Sequence, residues 1–138
     1  MKVIYLESSA ILTWLLGEKR AAEVRRAVDA AERVVTSALS ATEVERALVR
    51  AEGGGVLKGA DGQRLRGLLQ RTRAGWAAMA VTDEVLGRAA RPFPIEPVRT
   101  LDAVHLATAL AFARAYPELR VLSFDRRILD NAAALGLD

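Results

Sequence analysis

The chain contains no cysteine, a single histidine, and only two Trp, two Tyr and three Phe among its 138 residues. Without thiols there is no disulfide framework, no thiolate nucleophile and no cysteine-ligated zinc site, and no oxidising compartment is required. A cytoplasmic protein is the expectation. Long apolar runs are missing too. The N-terminal one is broken by Glu7, Ser8 and Ser9 before it reaches Glu18-Lys19-Arg20, which suits neither a secretory leader nor a bilayer span. No membrane association is expected. Charge of one sign barely dominates: 20 Lys plus Arg against 17 Asp plus Glu leaves +3, which permits a nucleic-acid partner without demanding one. There is no phosphate-cradling P-loop and no dinucleotide glycine fingerprint, since Gly53-Gly54-Gly55 follows a helical pattern rather than a strand. What is plentiful is apolar content. At 51% hydrophobic residues, 1–138 can build one domain with a real core and is too short for two ordinary ones.

Short apolar strands alternate with helical periodicities along the chain. Lys2 to Leu6 reads as a strand, and the hydroxyls of Ser8 and Ser9 are placed to cap a helix through Ala10 to Leu16. Ala21, Val24, Val28 and Ala31 mark one face of a second helix. Arg33 to Ser37 is a second strand. Ser40 is expected to start a helix through Val44, Leu48 and Ala51 that stops at the glycine triplet. Asp61 to Arg73 forms an arginine-flanked helix, Trp76 to Val81 a strand, and Thr82 or Asp83 caps a helix to about Arg91. The Pro92 to Pro97 segment is an extended connection. Thr100 is expected to cap an apolar helix to about Tyr116. Arg120 to Phe124 is a last strand, and Asp125 opens a final helix. This alternation predicts an α/β fold with a short parallel sheet covered on both faces.

In such a sheet the ligand crevice lies beyond the carboxyl ends of the strands. Glu7 follows the first strand, Glu43 lies one short turn beyond the second, Asp102 begins the helix before the last strand, and Asp125 follows that strand. Each has a structural alternative. Ser40 and Glu43 have capping-box spacing, Asp102 suits the first turn of its helix, and Asp125 suits an N-cap. Glu7 has no evident capping role beside two serines. Asp83 and Glu84 also follow a strand but are accounted for as cap and first-turn charges. His105 reads as a packed, hydrogen-bonded core histidine rather than a base or ligand. Four converging carboxylates suit magnesium or manganese, because a hard cation relieves their repulsion, activates water and neutralises developing charge on a phosphodiester.

Four segments carry a resemblance: Ile4-Tyr5-Leu6-Glu7-Ser8-Ser9-Ala10; Val35-Thr36-Ser37-Ala38-Leu39 leading to Glu43; Leu101-Asp102-Ala103-Val104-His105-Leu106-Ala107-Thr108-Ala109; and Leu122-Ser123-Phe124-Asp125-Arg126-Arg127. In this order and at these separations the chain resembles the PIN-domain ribonucleases, specifically VapC-type toxins, from about Val3 to Leu137. The resemblance implies a three-layer α/β/α domain with the first strand central, beside the strand ending near Asp125, and the Trp76 strand at the far edge. It implies that Glu7, Glu43, Asp102 and Asp125 bind Mg2+ or Mn2+, that Ser9 supports them by hydrogen bonding, and that the substrate is RNA of the transfer or ribosomal class. It also implies a cognate VapB-type antitoxin and pairing of toxin chains as a homodimer. One position departs from the family, whose first acid is usually aspartate. Glu7 is one methylene longer, so a weakened or retuned nuclease is expected, with a catalytically impaired RNA- or protein-binding module as the alternative.

Overall fold

The computed structural model describes residues 1–138 and contains four strands and seven helices. In chain order they are β1 (Val3–Leu6), α1 (Ser8–Leu15), α2 (Ala21–Ala30), β2 (Arg33–Ser37), α3 (Ala38–Gly53), α4 (Asp61–Arg73), β3 (Ala77–Met79), α5 (Asp83–Ala89), α6 (Thr100–Ala115), β4 (Arg120–Leu122) and α7 (Arg126–Ala134). The strands make one parallel sheet in the order β3-β2-β1-β4. Ile4 lies between Val34 and Arg120, and Tyr5 between Val35 and Val121. The expected α/β architecture and the central place of β1 are both present.

Every residue of β1 is buried, as a strand covered on both faces requires. Side-chain alternation divides its residues between two cores. Val3 and Tyr5 point with Val35 and Val121 into a cluster completed by Leu106, Leu119 and Ile128. Ile4 and Leu6 pack on the opposite face against Ile11, Val24, Val44, Leu48, Leu65 and Leu69 from α1 to α4. A smaller cluster of Val85, Val104 and Ala107 fixes α5 to α6. Because all strands run the same way, their carboxyl ends share one edge of the sheet, and that edge carries the acids.

The helix starts differ from expectation at three places. The N-cap of α1 is Glu7 itself, whose carboxylate accepts from the Ser9 amide; Ser8 and Ser9 are the first helical residues. Asp125 makes the same contact to the amide two residues on at the start of α7. α3 begins at Ala38 under a Ser37 cap rather than at Ser40, so the Ser40–Glu43 capping box does not form. Ser40 is buried in the third helical position, where its hydroxyl pairs with that of Thr36 at 2.7 Å. The N-cap of α6 is Arg99, with no side-chain cap bond, rather than Thr100. The caps by Thr82 and Asp125 are as expected. β3 and β4 are each three residues long, shorter than the patterns suggested. Both lie at sheet edges with one neighbour apiece, so pairing ends where that neighbour ends. Asp83 and Glu84 begin α5 after the outermost strand β3, and Glu84 pairs with Arg114 at 2.5 Å.

Candidate active site

The strand ends bring Glu7, Glu43, Asp102 and Asp125 to one open pocket of about 420 Å³, lined also by Ser8, Ser9, Leu12, Arg99, Thr100 and Leu101. Each acid arrives on its own element. Glu7 sits at the junction of β1 and α1, and Glu43 in the second turn of α3. Asp102 lies in the first turn of α6, and Asp125 at the cap of α7. The four-acid convergence expected from the order of motifs is therefore present as a shared pocket. The oxygens within it are differently employed.

Glu7 is 4% exposed and its carboxylate is surrounded by donors. Oε1 accepts from Ser9 Oγ and Ser123 Oγ, each at 2.5 Å, while Oε2 accepts from Ser8 Oγ at 2.6 Å and the Ser9 amide at 3.0 Å. A carboxylate offers about four lone-pair positions, and here four donors take them. Burial alone pushes this carboxyl up; the hydroxyls of Ser123, Ser8 and Ser9 outweigh it and hold the group below its ordinary value. Ser9 meets Glu7 through both its hydroxyl and its amide. Its oxygen also accepts the Phe124 amide at 2.9 Å, while Ser123 Oγ accepts the Asp125 amide at 3.0 Å. The two serines thus tie the start of α1 to the chain that presents Asp125.

Glu43 is held by His105, whose Nε2 lies 2.5 Å from Oε1. The histidine is 1% exposed, in agreement with the core reading of the sequence, and its Nδ1 meets the Tyr5 hydroxyl at 2.7 Å. Asp125 uses Oδ1 for its cap bonds to the Arg127 and Ile128 amides. Asp102 is the exception. Its Oδ2 is buried without a hydrogen-bond partner, and Arg99, at 3.6 Å, is too far to serve as one. Burial first, then the charges of Asp125 and Glu7, raise the Asp102 carboxyl above the ordinary aspartate range against the opposing pull of Arg99.

A buried anionic oxygen with no partner, beside like charges, is the environment that a divalent cation relieves. The donor set is all carboxylate, which suits magnesium or manganese rather than a soft metal. Asp102 and Asp125 fit such an ion. As the side chains stand, no three of the acids form a closed cation cage, and the Glu7 carboxylate is turned into its serines. From the sequence, Ser123 stands within a motif without a role of its own, Ser8 is a helix-cap candidate only, and Arg99 carries no signal. Spacing alone gives no signal for Ser123, since its partner stands 116 positions away.

Comparison with known proteins agrees with this geometry. The PIN domain model matches residues 4–135. Ribonuclease VapC46 of Mycobacterium tuberculosis is 36% identical over 138 residues, covering 99% of this chain and 95% of that protein. Ribonuclease VapC35 of the same species is 31% identical over 137 residues, covering 98% and 93%. Among solved structures, M. tuberculosis VapC20, described as a Sarcin-Ricin loop cleaving toxin, aligns with a TM-score of 0.68 at 17% identity, covering 98% and 96%. That likeness supports the fold. With its parallel sheet, its acids gathered at the strand ends and a family match over nearly all its length, the chain belongs to the PIN-domain family.

Proposed function

We propose that the protein is a VapC-type toxin, a metal-dependent endoribonuclease that hydrolyses phosphodiester bonds in transfer or ribosomal RNA and is neutralised by a cognate antitoxin. The observation that carries this reading is the shared pocket of Glu7, Glu43, Asp102 and Asp125, with its unpartnered Asp102 oxygen, in a PIN-family chain. The relatives named as ribonucleases support the RNA substrate and, through the toxin class, an antitoxin partner. Asp102 and Asp125, with Glu43 beside them, would hold Mg2+ or Mn2+, which supplies water activation and charge neutralisation at the phosphate. The chain's own contributions are distinct. Asp102 presents a desolvated anion that binds a cation more strongly than it binds water. Ser9 and Ser123 keep the Asp125 backbone in place. Arg99, at the rim and 71% exposed in its side chain, offers a guanidinium to the RNA backbone. No helix is long and apolar enough to cross a membrane.

The test is cleavage of transfer and ribosomal RNA by purified protein with Mg2+ or Mn2+, comparing the native chain with Asp125→Asn, which keeps a good N-cap while losing the carboxylate. Cleavage by the native protein and its loss in the variant are expected. Equal cleavage by both removes the assignment. The saturation of Glu7 by hydroxyls favours a second reading, a PIN module that binds RNA or protein with impaired cleavage. A native chain that cuts nothing while Glu7→Asp cuts RNA decides for that second reading.

A further inference from the structure

We infer that His105 is a positioning residue: a buried relay from Tyr5 through His105 fixes the Glu43 carboxylate at the acid pocket. This rests on reading that pocket as a cation site. Three elements meet in the relay. Tyr5 lies on β1 two residues before Glu7, His105 lies on α6 one turn after Asp102, and Glu43 projects from α3. The contacts span 100 and 62 positions of sequence, at 2.7 Å from Tyr5 Oη to His105 Nδ1 and 2.5 Å from His105 Nε2 to Glu43 Oε1. Tyr5 is fully buried, its ring edge-on to His105 with centroids 6.0 Å apart and tilted against Phe112 at 6.5 Å, so neither donor is free to swing away.

The proton positions follow from what each group can do. An ionised carboxylate only accepts, so Nε2 must carry the hydrogen that faces Glu43. A neutral ring with Nε2–H leaves Nδ1 as an acceptor, and the Tyr5 O–H is the donor that meets it. The phenol therefore selects the tautomer that can grip Glu43. A long, rotatable carboxylate on a half-exposed helix face would otherwise sample several rotamers. With Oε1 held, Oε2 of this pocket-lining side chain is the oxygen left without a hydrogen bond. This is how outer hydrogen bonds orient the groups that hold a metal, and removing such a partner typically costs 10- to 100-fold in metal affinity.

The experiment is Mn2+ titration of EDTA-stripped full-length protein by calorimetry. His105→Leu is expected to weaken Mn2+ binding by roughly 10- to 100-fold, while His105→Gln, whose amide N–H can replace Nε2–H, stays within about threefold of native. In a Glu43→Ala background His105→Leu is expected to change the affinity no further. Should His105→Leu not fold, Tyr5→Phe, which removes one hydroxyl, carries the same comparison with a smaller loss. In the ion-free protein, imidazole 15N spectra should show a protonated Nε2, a signature independent of the ion. An unprotonated Nε2, native affinity in His105→Leu, or an equal loss with and without Glu43 overturns the inference. A native chain that takes up no Mn2+, with Asp125→Asn indistinguishable from it, removes the cation-site reading and the inference together.

Discussion

Asp102→Asn should raise the stability of the ion-free protein while abolishing its response to the ion. The structure supplies the reason. Asp102 is 8% exposed, and its Oδ2 has no hydrogen-bond partner. Leaving a buried polar atom unsatisfied costs about 1–3 kcal/mol, more when it is charged, and Asp125 and Glu7 add repulsion. An uncharged amide still lacks a partner there, but it carries no charge to desolvate and none for Asp125 and Glu7 to repel, so a gain of about 1–3 kcal/mol from loss of the charge is expected at pH 7. For a domain of this size that is roughly 3–10 °C in Tm. The sign of the pH dependence is fixed by the raised Asp102 carboxyl. The stability attached to the protonated form is fully present below the ordinary aspartate value of 3.8 and is lost as pH rises through the higher folded value. The advantage of Asp102→Asn should therefore fade as the solution is acidified towards that value. Mn2+ at about 1,000 times its Kd reverses the order, because it stabilises the native protein by about 4.1 kcal/mol and the variant by little. Thermal denaturation of both proteins in EDTA and in excess Mn2+, at pH 7.5 and near pH 4, measures all of this. An Asp102→Asn protein that is less stable than native in EDTA, or equal stabilisation of both by the ion, overturns this account of Asp102.

Glu7→Gln should destabilise the protein by about 1–3 kcal/mol at neutral pH in urea denaturation, because hydrogen bonds from three serines lose their charged acceptor. Since the Glu7 carboxyl is held below its ordinary value of 4.5, its stabilisation is present above that value and is lost as pH falls through the lower folded one. The variant should accordingly lose less stability on acidification than the native chain. Asp125→Asn should unfold within about 0.5 kcal/mol of native, whereas Asp125→Ala, which also forfeits the cap bonds to Arg127 and Ile128, should lose about 1 kcal/mol. RNA cleavage should disappear in both, which separates capping from chemistry. Leu48→Ala, at a fully buried position between α3 and the sheet, should cost about 2–5 kcal/mol in the same assay without altering Mn2+ affinity in the protein that remains folded.

Much of the architecture was legible because it is local. A β-branched run such as Val3 to Leu6 and a three-four apolar spacing such as Ala21, Val24 and Val28 are short-range patterns, and they set β1 and α2 where the sequence placed them. Helix starts were less legible where several candidates stood together. Ser37 displaced Ser40 as the cap of α3, three residues earlier, and Arg99 displaced Thr100 at α6, one residue earlier. Glu7 was misread for a physical reason: glutamate is not among the preferred caps, yet its carboxylate accepts from the Ser9 amide.

Residue order and type, then, already determined that strands would alternate with helices and that Glu7, Glu43, Asp102 and Asp125 would follow strands or begin helices at one edge. Which of their oxygens remain free was decided only by tertiary structure. Ser123 reaches Glu7 across 116 positions, and His105 reaches Glu43 across 62. Hydrogen-bond capacity is allotted among whichever donors folding brings within about 3 Å, and no periodicity along the chain encodes that allotment. It leaves Glu7 saturated, Glu43 held by an imidazole, and one buried Asp102 oxygen without a partner.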